Sequence, residues 1–269
     1  MDRASPTIAD SKTEDGSGIG TYTSELTGLE PNTTYYVRAY ATNDLGTAYG
    51  QTNSFKTPDY TGTFTDGRDS IQYQYVTIGS QVWMAENLKY LPSVMSYDTE
   101  SETIPCYYVY GYSVTDVSIA KATSSYQTYG VLYNWPAAMA GSASNSSNPS
   151  GVQGVCPSGW HLPSDAEWTE LTDNLGGISV AGGKLKENGT THWSQPNEAT
   201  TNETGFTALP GGYRYHEGQY MGRRIFGVWW SSTESNTSNA RTRSMSINNH
   251  IDIDEVTKEY GFSVRCLKD

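Results

Sequence analysis

The chain of 269 residues has no apolar stretch long enough to span a bilayer, which takes about 20 consecutive residues. Bases are also scarce: 17 Lys and Arg stand against 29 Asp and Glu, a formal net charge of −12. No cluster of four or more bases occurs, which argues against nucleic acid and anionic membrane surfaces as partners. There are three cysteines, none in CxxC spacing and none beside histidines at zinc-ligand spacing. The histidines (His161, His192, His216 and His250) form no His-x-x-x-His pair, so no local metal site or histidine-based triad is written in the chain. The opening Met1-Asp2-Arg3-Ala4-Ser5-Pro6 has no apolar core of a signal peptide, so any export signal is expected to lie outside this sequence.

Hydrophobic residues make up 36%, below the usual ~45–50%. The deficit is partly filled by 21 Tyr and 7 Trp, large rings that bury well and keep a polar handle. With 27 Gly and 11 Pro spread along it, the chain reads as loop-rich and β-dominated. Cys156 and Cys266 each stand at an element boundary and are expected to pair, closing a loop of 110 residues. Cys106 is then left as a buried thiol.

Residues 1–58 read as a small β module. Thr34-Tyr35-Tyr36-Val37-Arg38-Ala39-Tyr40-Ala41 alternates, with Tyr36, Arg38 and Tyr40 on one face. Pro31-Asn32 signals a turn before it, and Pro58 stops a strand that begins at Tyr49. The run Leu29-Glu30-Pro31-Asn32-Thr33-Thr34-Tyr35 resembles the E-to-F strand region of fibronectin type III modules, with Leu29 and Tyr35 at the corner position. The resemblance covers about half such a module and implies a spacer. Residues 59–70 read as a polar linker.

The larger domain is expected over 71–269. Val76-Thr77-Ile78 and Gln81-Val82-Trp83-Met84 read as strands around a Gly79-Ser80 turn. Residues 93–128 and 141–154 read as exposed loops. Ser164-Asp165-Ala166-Glu167 is a capping box opening a helix that buries Trp168, Leu171 and Leu175 and stops at Gly176-Gly177. A second short helix is expected over 183–187, and a last strand over 261–266. Strands, helices, then strands make an α+β domain.

Five motifs carry a further resemblance: Ile78-Gly79-Ser80-Gln81-Val82-Trp83-Met84-Ala85-Glu86-Asn87-Leu88, Tyr129-Gly130-Val131-Leu132-Tyr133-Asn134-Trp135, Cys156-Pro157-Ser158-Gly159-Trp160-His161-Leu162-Pro163, Leu209-Pro210-Gly211-Gly212-Tyr213-Arg214 and Val264-Arg265-Cys266. Together they resemble the Fibrobacter succinogenes major paralogous domain, common in surface proteins of Bacteroidetes. The resemblance implies export, an extracellular or outer-surface location and a C-type-lectin-like fold. The stretch from His161 to Trp168 and the chain's end also look like formylglycine-generating enzymes, which share that fold. Those enzymes need a cysteine pair shortly before the last strand; residues 207–260 contain no cysteine, so that thiol chemistry has no nucleophile here.

A binding or adhesion protein is therefore the leading expectation, with a glycan or a surface protein as ligand. Its rivals are a structural or tip subunit of a surface appendage and a remote hydrolase using Asp252 and Asp254, which would share one strand face. Trp193, Tyr213, Arg214, Tyr215, Trp229 and Trp230 are the candidate ligand contacts, because aromatic rings stack on sugars and anchor interfaces. Trp229 and Trp230 must point to opposite strand faces, so one is expected to be partly exposed. No cofactor is required. Calcium is the candidate cation, at Asn197, Glu198, Asn202 and Glu203 after Pro196, since it takes hard oxygen donors on a rigid loop; a polar surface loop is the plainer reading.

Overall fold

The computed structural model describes residues 5–24, 26, 29, 33–57 and 60–269, the side chains of 60 and 61 excepted. The Glu30-Pro31-Asn32 turn and the Pro58 stop lie outside the described residues. The chain divides into two units, Met1–Asp59 and Tyr60–Asp269.

In the first unit β1 (Thr34–Val37) pairs with β4 (Asn53–Lys56), and β2 (Tyr40–Asn43) pairs with β3 (Gly46–Tyr49), both antiparallel. The alternating run from Thr34 is thus two strands, broken at Arg38-Ala39. Tyr35 stacks on Phe55 across the first ladder, and the Arg38 guanidinium lies 3.9 Å over the Tyr49 ring. No described residue of this unit is buried.

The second unit is mixed, mostly strand with short helices, which is compatible with α+β. Its elements run β5 (Tyr60–Thr65), β6 (Gln72–Ile78), β7 (Gln81–Met84), β8 (Tyr107–Tyr108), α1 (Val117–Ala122), α2 (Ser124–Tyr129), β9 (Leu132–Tyr133), α3 (Trp135–Met139), β10 (Trp160–His161), α4 (Asp165–Asn174), α5 (Ile178–Leu185), β11 (Tyr213–Arg214), β12 (Tyr220–Met221), β13 (Gly227–Glu234), β14 (Asn239–Met245), β15 (Ile251–Thr257) and β16 (Leu267–Lys268). One sheet has the order β10-β16-β7-β6-β5; another is the antiparallel meander β13-β14-β15. Two small ladders, β8-β9 and β11-β12, complete the set among the described residues.

The Gly79 turn and the capped helix form as the residues dictate. Gly79 takes φ 61°, and a Cβ there would meet the Asn174 amide at 2.4 Å. Ser164 Oγ accepts from the Glu167 backbone while the Glu167 carboxylate accepts from the Ser164 backbone. The second helix starts earlier than 183, at Ile178, and ends before Lys186. Residues 93–128 are not all loop: Asp116 and Thr123 cap two short helices there.

Residues 59–70 read as a linker, but 60–65 are strand β5 at the edge of the larger sheet. Phe64 stacks on Trp160 at 4.3 Å, and Asp66, 1% exposed, takes a forked bond from Arg68. Burial alone would raise the Asp66 pKa, but the bonds from Arg68 hold it below the ordinary carboxylate value. Polar composition concealed a strand whose partner lies across a short turn.

The closing segment ties the ladders together. Bridges join Phe262 to Tyr133, Gly261 to Arg214 and Ser263 to Trp229. Where a continuous strand over 261–266 is expected, these single bridges reach three different elements, and regular pairing resumes only at β16. Cys156 and Cys266 are bridged as expected, with sulfurs 2.03 Å apart and both residues fully buried. Cys106 is a free, buried thiol.

Two apolar clusters fill this unit. One holds Tyr73, Tyr133, Trp135, Trp160, Trp230, Phe262 and the disulfide. The other holds Trp83, Trp168, Leu171, Leu185, Trp193, Phe206 and Trp229. β13 runs between them, which is why its first seven residues are all buried.

A buried histidine links β10 to α4. His161, 3% exposed, lies 2.8 Å from both Glu167 and Asp269 through its two ring nitrogens. Burial alone would lower its pKa, but the two carboxylates outweigh burial and raise it above the ordinary histidine value. A raised folded pKa contributes stability that is fully present below the unfolded value and lost as pH rises through the folded one. Urea midpoints are therefore expected to fall as pH rises from about 6.5 through neutrality, and His161→Gln is expected to flatten that slope. Equal slopes in the two proteins would overturn the assignment. Lys186, whose pKa burial lowers to about 8, titrates with the opposite sign at higher pH and stays out of this window.

Candidate functional site

The β11-β12 hairpin places its side chains by the two-residue period of a strand. Arg214 points inward and is fully buried; Tyr213 and Tyr215 point outward and are half-buried. The Arg214 guanidinium donates to the Tyr97 carbonyl at 2.8 Å and the Glu259 carbonyl at 3.0 Å, and lies 4.7 Å over the Tyr108 ring. It therefore clamps the closing segment against the hairpin. Gly261 completes the contact: a Cβ there would meet the Arg214 Cβ at 2.9 Å.

That close approach brings Tyr260 beside the hairpin's outer face. Tyr260 lies 5.2 Å from Tyr215, 5.3 Å from His216 and 6.2 Å from Tyr213, centroid to centroid. Tyr215 and His216 are 4.2 Å apart, and Tyr213 meets Phe226 at 6.4 Å. His216, Tyr215, Tyr260, Tyr213 and Phe226 thus form a row of half-exposed rings, backed by the buried Phe262 stacked under Tyr260. Burial, then the neighbouring Tyr215 phenol, pushes the Tyr260 hydroxyl above its ordinary value. Burial, then Glu100 and Glu102, raises the adjacent Glu259 carboxyl.

The row's other end carries charge of the opposite sign. Tyr110 and Tyr220 lie 5.1 Å apart, and the Arg223 guanidinium sits 5.1 Å over Tyr110. Gly212, at φ 68°, lets the backbone of Arg223 come beside this ring: a Cβ there would reach the Tyr110 ring at 2.7 Å and the Arg223 backbone nitrogen at 2.6 Å.

Four of the six residues expected to contact ligand are instead core. Trp193, Trp229 and Trp230 are each 0% exposed, and their indole N–H groups donate to the Ala208 carbonyl, Asn87 Oδ1 and the Tyr133 carbonyl. Trp229 and Trp230 do point to opposite faces, but each face meets its own apolar cluster, so neither is exposed. Arg214 is an internal clamp. Only Tyr213 and Tyr215 stand at the surface. His216, Phe226 and Tyr260 were missed; the sequence signal for His216 was adjacency, and for Tyr260 there was none short of the Arg214–Gly261 bridge.

The loop expected to carry calcium spends its side chains locally. Asn197 Nδ2 donates to the Glu187 and Gly189 carbonyls, while its buried Oδ1 has no hydrogen-bond partner. Asn202 brackets Thr207, and Glu203 pairs with Lys184 at 3.3 Å. Glu198 is exposed, its backbone nitrogen bound to the Ile247 carbonyl. The neighbouring carbonyls of Ser246 and Asn248 receive the buried Lys186 ammonium at 2.9 and 2.6 Å. Among the described residues no group of three or more His, Cys, Asp or Glu is placed to hold a metal ion.

Asp252 and Asp254 lie on β15, the former 3.5 Å from His250 Nε2 and the latter accepting from Ser244 Oγ. No helix among the described residues is long and apolar enough to cross a membrane.

The family model of the Fibrobacter succinogenes major domain matches residues 76–268. In comparisons with curated proteins and with solved structures, nothing matches the chain.

Proposed function

This chain belongs to the Fibrobacter succinogenes major domain family, and from that premise we propose a secreted or surface-displayed, non-catalytic binding protein that holds a glycan on the ring row of its β11-β12 hairpin. The larger unit is then a C-type-lectin-like module and the smaller one half of a fibronectin III-like spacer. The observation that carries the reading is the row itself: five half-exposed rings, preset by the Arg214 clamp and the Gly261 contact. Rings fixed by their neighbours lose little conformational entropy on stacking against a sugar face. The Cys156–Cys266 bridge supports an oxidising compartment.

A glycan array probed with and without calcium tests this. Binding to a defined set of saccharides is expected. Tyr215→Ala and Tyr260→Ala should each weaken it about tenfold or more, roughly 1.4 kcal/mol, with the melting temperature little changed. Binding to no saccharide, together with self-association in solution, would favour a structural subunit instead. Loss of binding in chelator would revive the loop of Asn197, Glu198, Asn202 and Glu203 as a calcium arm.

A further inference from the structure

Resting on the glycan reading, we propose that the ligand is an acidic saccharide whose carboxylate or sulfate is met by Arg223, with Arg224 beside it. The chain as a whole carries a net charge of −12, yet at the turn after β12 two arginines follow one another. Both are exposed, and neither forms an ion pair among the described residues. The other described arginines of this unit that reach the surface, Arg68 and Arg241, are each paired with a carboxylate. Two guanidiniums without a carboxylate partner thus stand side by side on an acidic chain, with Glu187 the acid that shares their neighbour Tyr129.

The turn is built rather than loose. Arg224 takes φ 71°, a conformation non-glycine residues rarely adopt, and its guanidinium nitrogens donate to the Thr191 and Thr190 carbonyls at 3.1 and 3.3 Å. Its backbone N–H bonds the Pro210 carbonyl at 2.9 Å and its own carbonyl accepts from Ser194 at 2.7 Å. Arg223 makes only a long bond to Ser125 Oγ, 3.4 Å, and rests on the Tyr110 ring, which leaves its planar fork for a bidentate anion. Both arginines lie close enough to Tyr129 to lower its phenol pKa against a net rise from burial.

This cationic end is continuous with the ring row. A Cβ on Gly222 would meet Phe226 at 2.9 Å and Tyr213 at 3.1 Å, so Arg223 follows directly on the row's last rings. At the opposite end stand Glu217 and Glu259, which would repel an anion. The site is thus polarised: the neutral ring face of a saccharide lies on Tyr215 and Tyr260, and its acid group at Arg223. The chain's distant negative charges do not cancel this, because the screening length is about 8 Å at physiological salt.

The test uses the full chain with tetragalacturonate and its methyl ester, which share a skeleton and differ in charge, alongside the neutral members of the array. The acid should bind about tenfold tighter than the ester at low salt, and the advantage should shrink as salt rises. Arg223→Gln should abolish the advantage, and Arg223→Lys should restore part of it. Equal affinities for acid and ester, or an advantage that survives Arg223→Gln, would overturn the inference. Binding of neutral array members but of neither uronide would also overturn it and leave the glycan reading standing. Binding of nothing on the array would remove both.

Discussion

Removing the Cys156–Cys266 bridge by a double Cys→Ser substitution is expected to lower stability by about 5 kcal/mol, because an unfolded chain freed of a 110-residue cross-link gains that much loop entropy. For a unit of this size that is a fall of roughly 10–20 °C in melting temperature. The position of the bridge makes the full effect plausible. Both sulfurs lie inside the first apolar cluster, and the Cys266 carbonyl accepts from the Met84 nitrogen at 3.0 Å, so the cross-link holds the closing segment against the larger sheet. The substitution is preferable to a reductant, since a fully buried bridge is out of its reach until the protein opens. The free thiol Cys106, 1% exposed, can exchange with the bridge once the chain unfolds, so Cys106→Ser is the background in which both proteins should be melted. Differential scanning calorimetry that finds a fall of less than about 3 °C would show that the native contacts alone close this loop.

The parts of the fold that follow from local rules were legible. The capping box at Ser164, the Gly79 turn and the glycine stop after α4 depend on residues within a few positions of one another. The ring row was only half legible. Tyr213 and Tyr215 are outward by strand alternation, but Tyr260 joins them only because Gly261 bridges Arg214, a pairing between distant parts of the chain. Burial was misjudged at β13, where one of Trp229 and Trp230 was expected to be partly exposed. The strand's polar residues are bonded inside as well: Ser231 Oγ donates to the Arg241 carbonyl and Ser232 Oγ to the Asn145 carbonyl. With their hydroxyls bonded inside, these residues can share a strand with two buried tryptophans. The fold likewise encloses three cations, Arg214, Arg265 and Lys186, the first of them expected to meet ligand. A chain with 36% hydrophobic residues fills its interior partly with cations laid on rings.

Arg265 is where that manner of filling the core should show its largest effect. It is 1% exposed, and its guanidinium lies 4.1 Å from the Phe206 ring and 5.8 Å from that of Trp229. One nitrogen donates to the Phe206 carbonyl; the other donates to Asn87 Oδ1 at 2.8 Å and to the Thr207 carbonyl at 3.4 Å. Asn87 Oδ1 also accepts from the Trp229 indole at 2.9 Å, while its amide donates to Ser263 and to the Tyr129 carbonyl. Arg265→Ala would leave those acceptors buried beside a cavity and is expected to cost roughly 3–5 kcal/mol. Arg265→Met refills the volume but not the donors, and should cost less, about 1–3 kcal/mol. Urea unfolding at fixed pH reads both, and equal losses would mean that volume alone matters at this position. The neighbouring residue is Cys266, so the guanidinium and the disulfide hold one segment in two ways. Once the disulfide is removed and that segment loosens, Arg265 has less geometry to defend. Arg265→Ala in the Cys→Ser background should then cost less than it does alone, by roughly 0.5–3 kcal/mol. Strict additivity would instead mean that the two anchors act independently, and that the three bridges from residues 261–263 hold the closing segment in place without either.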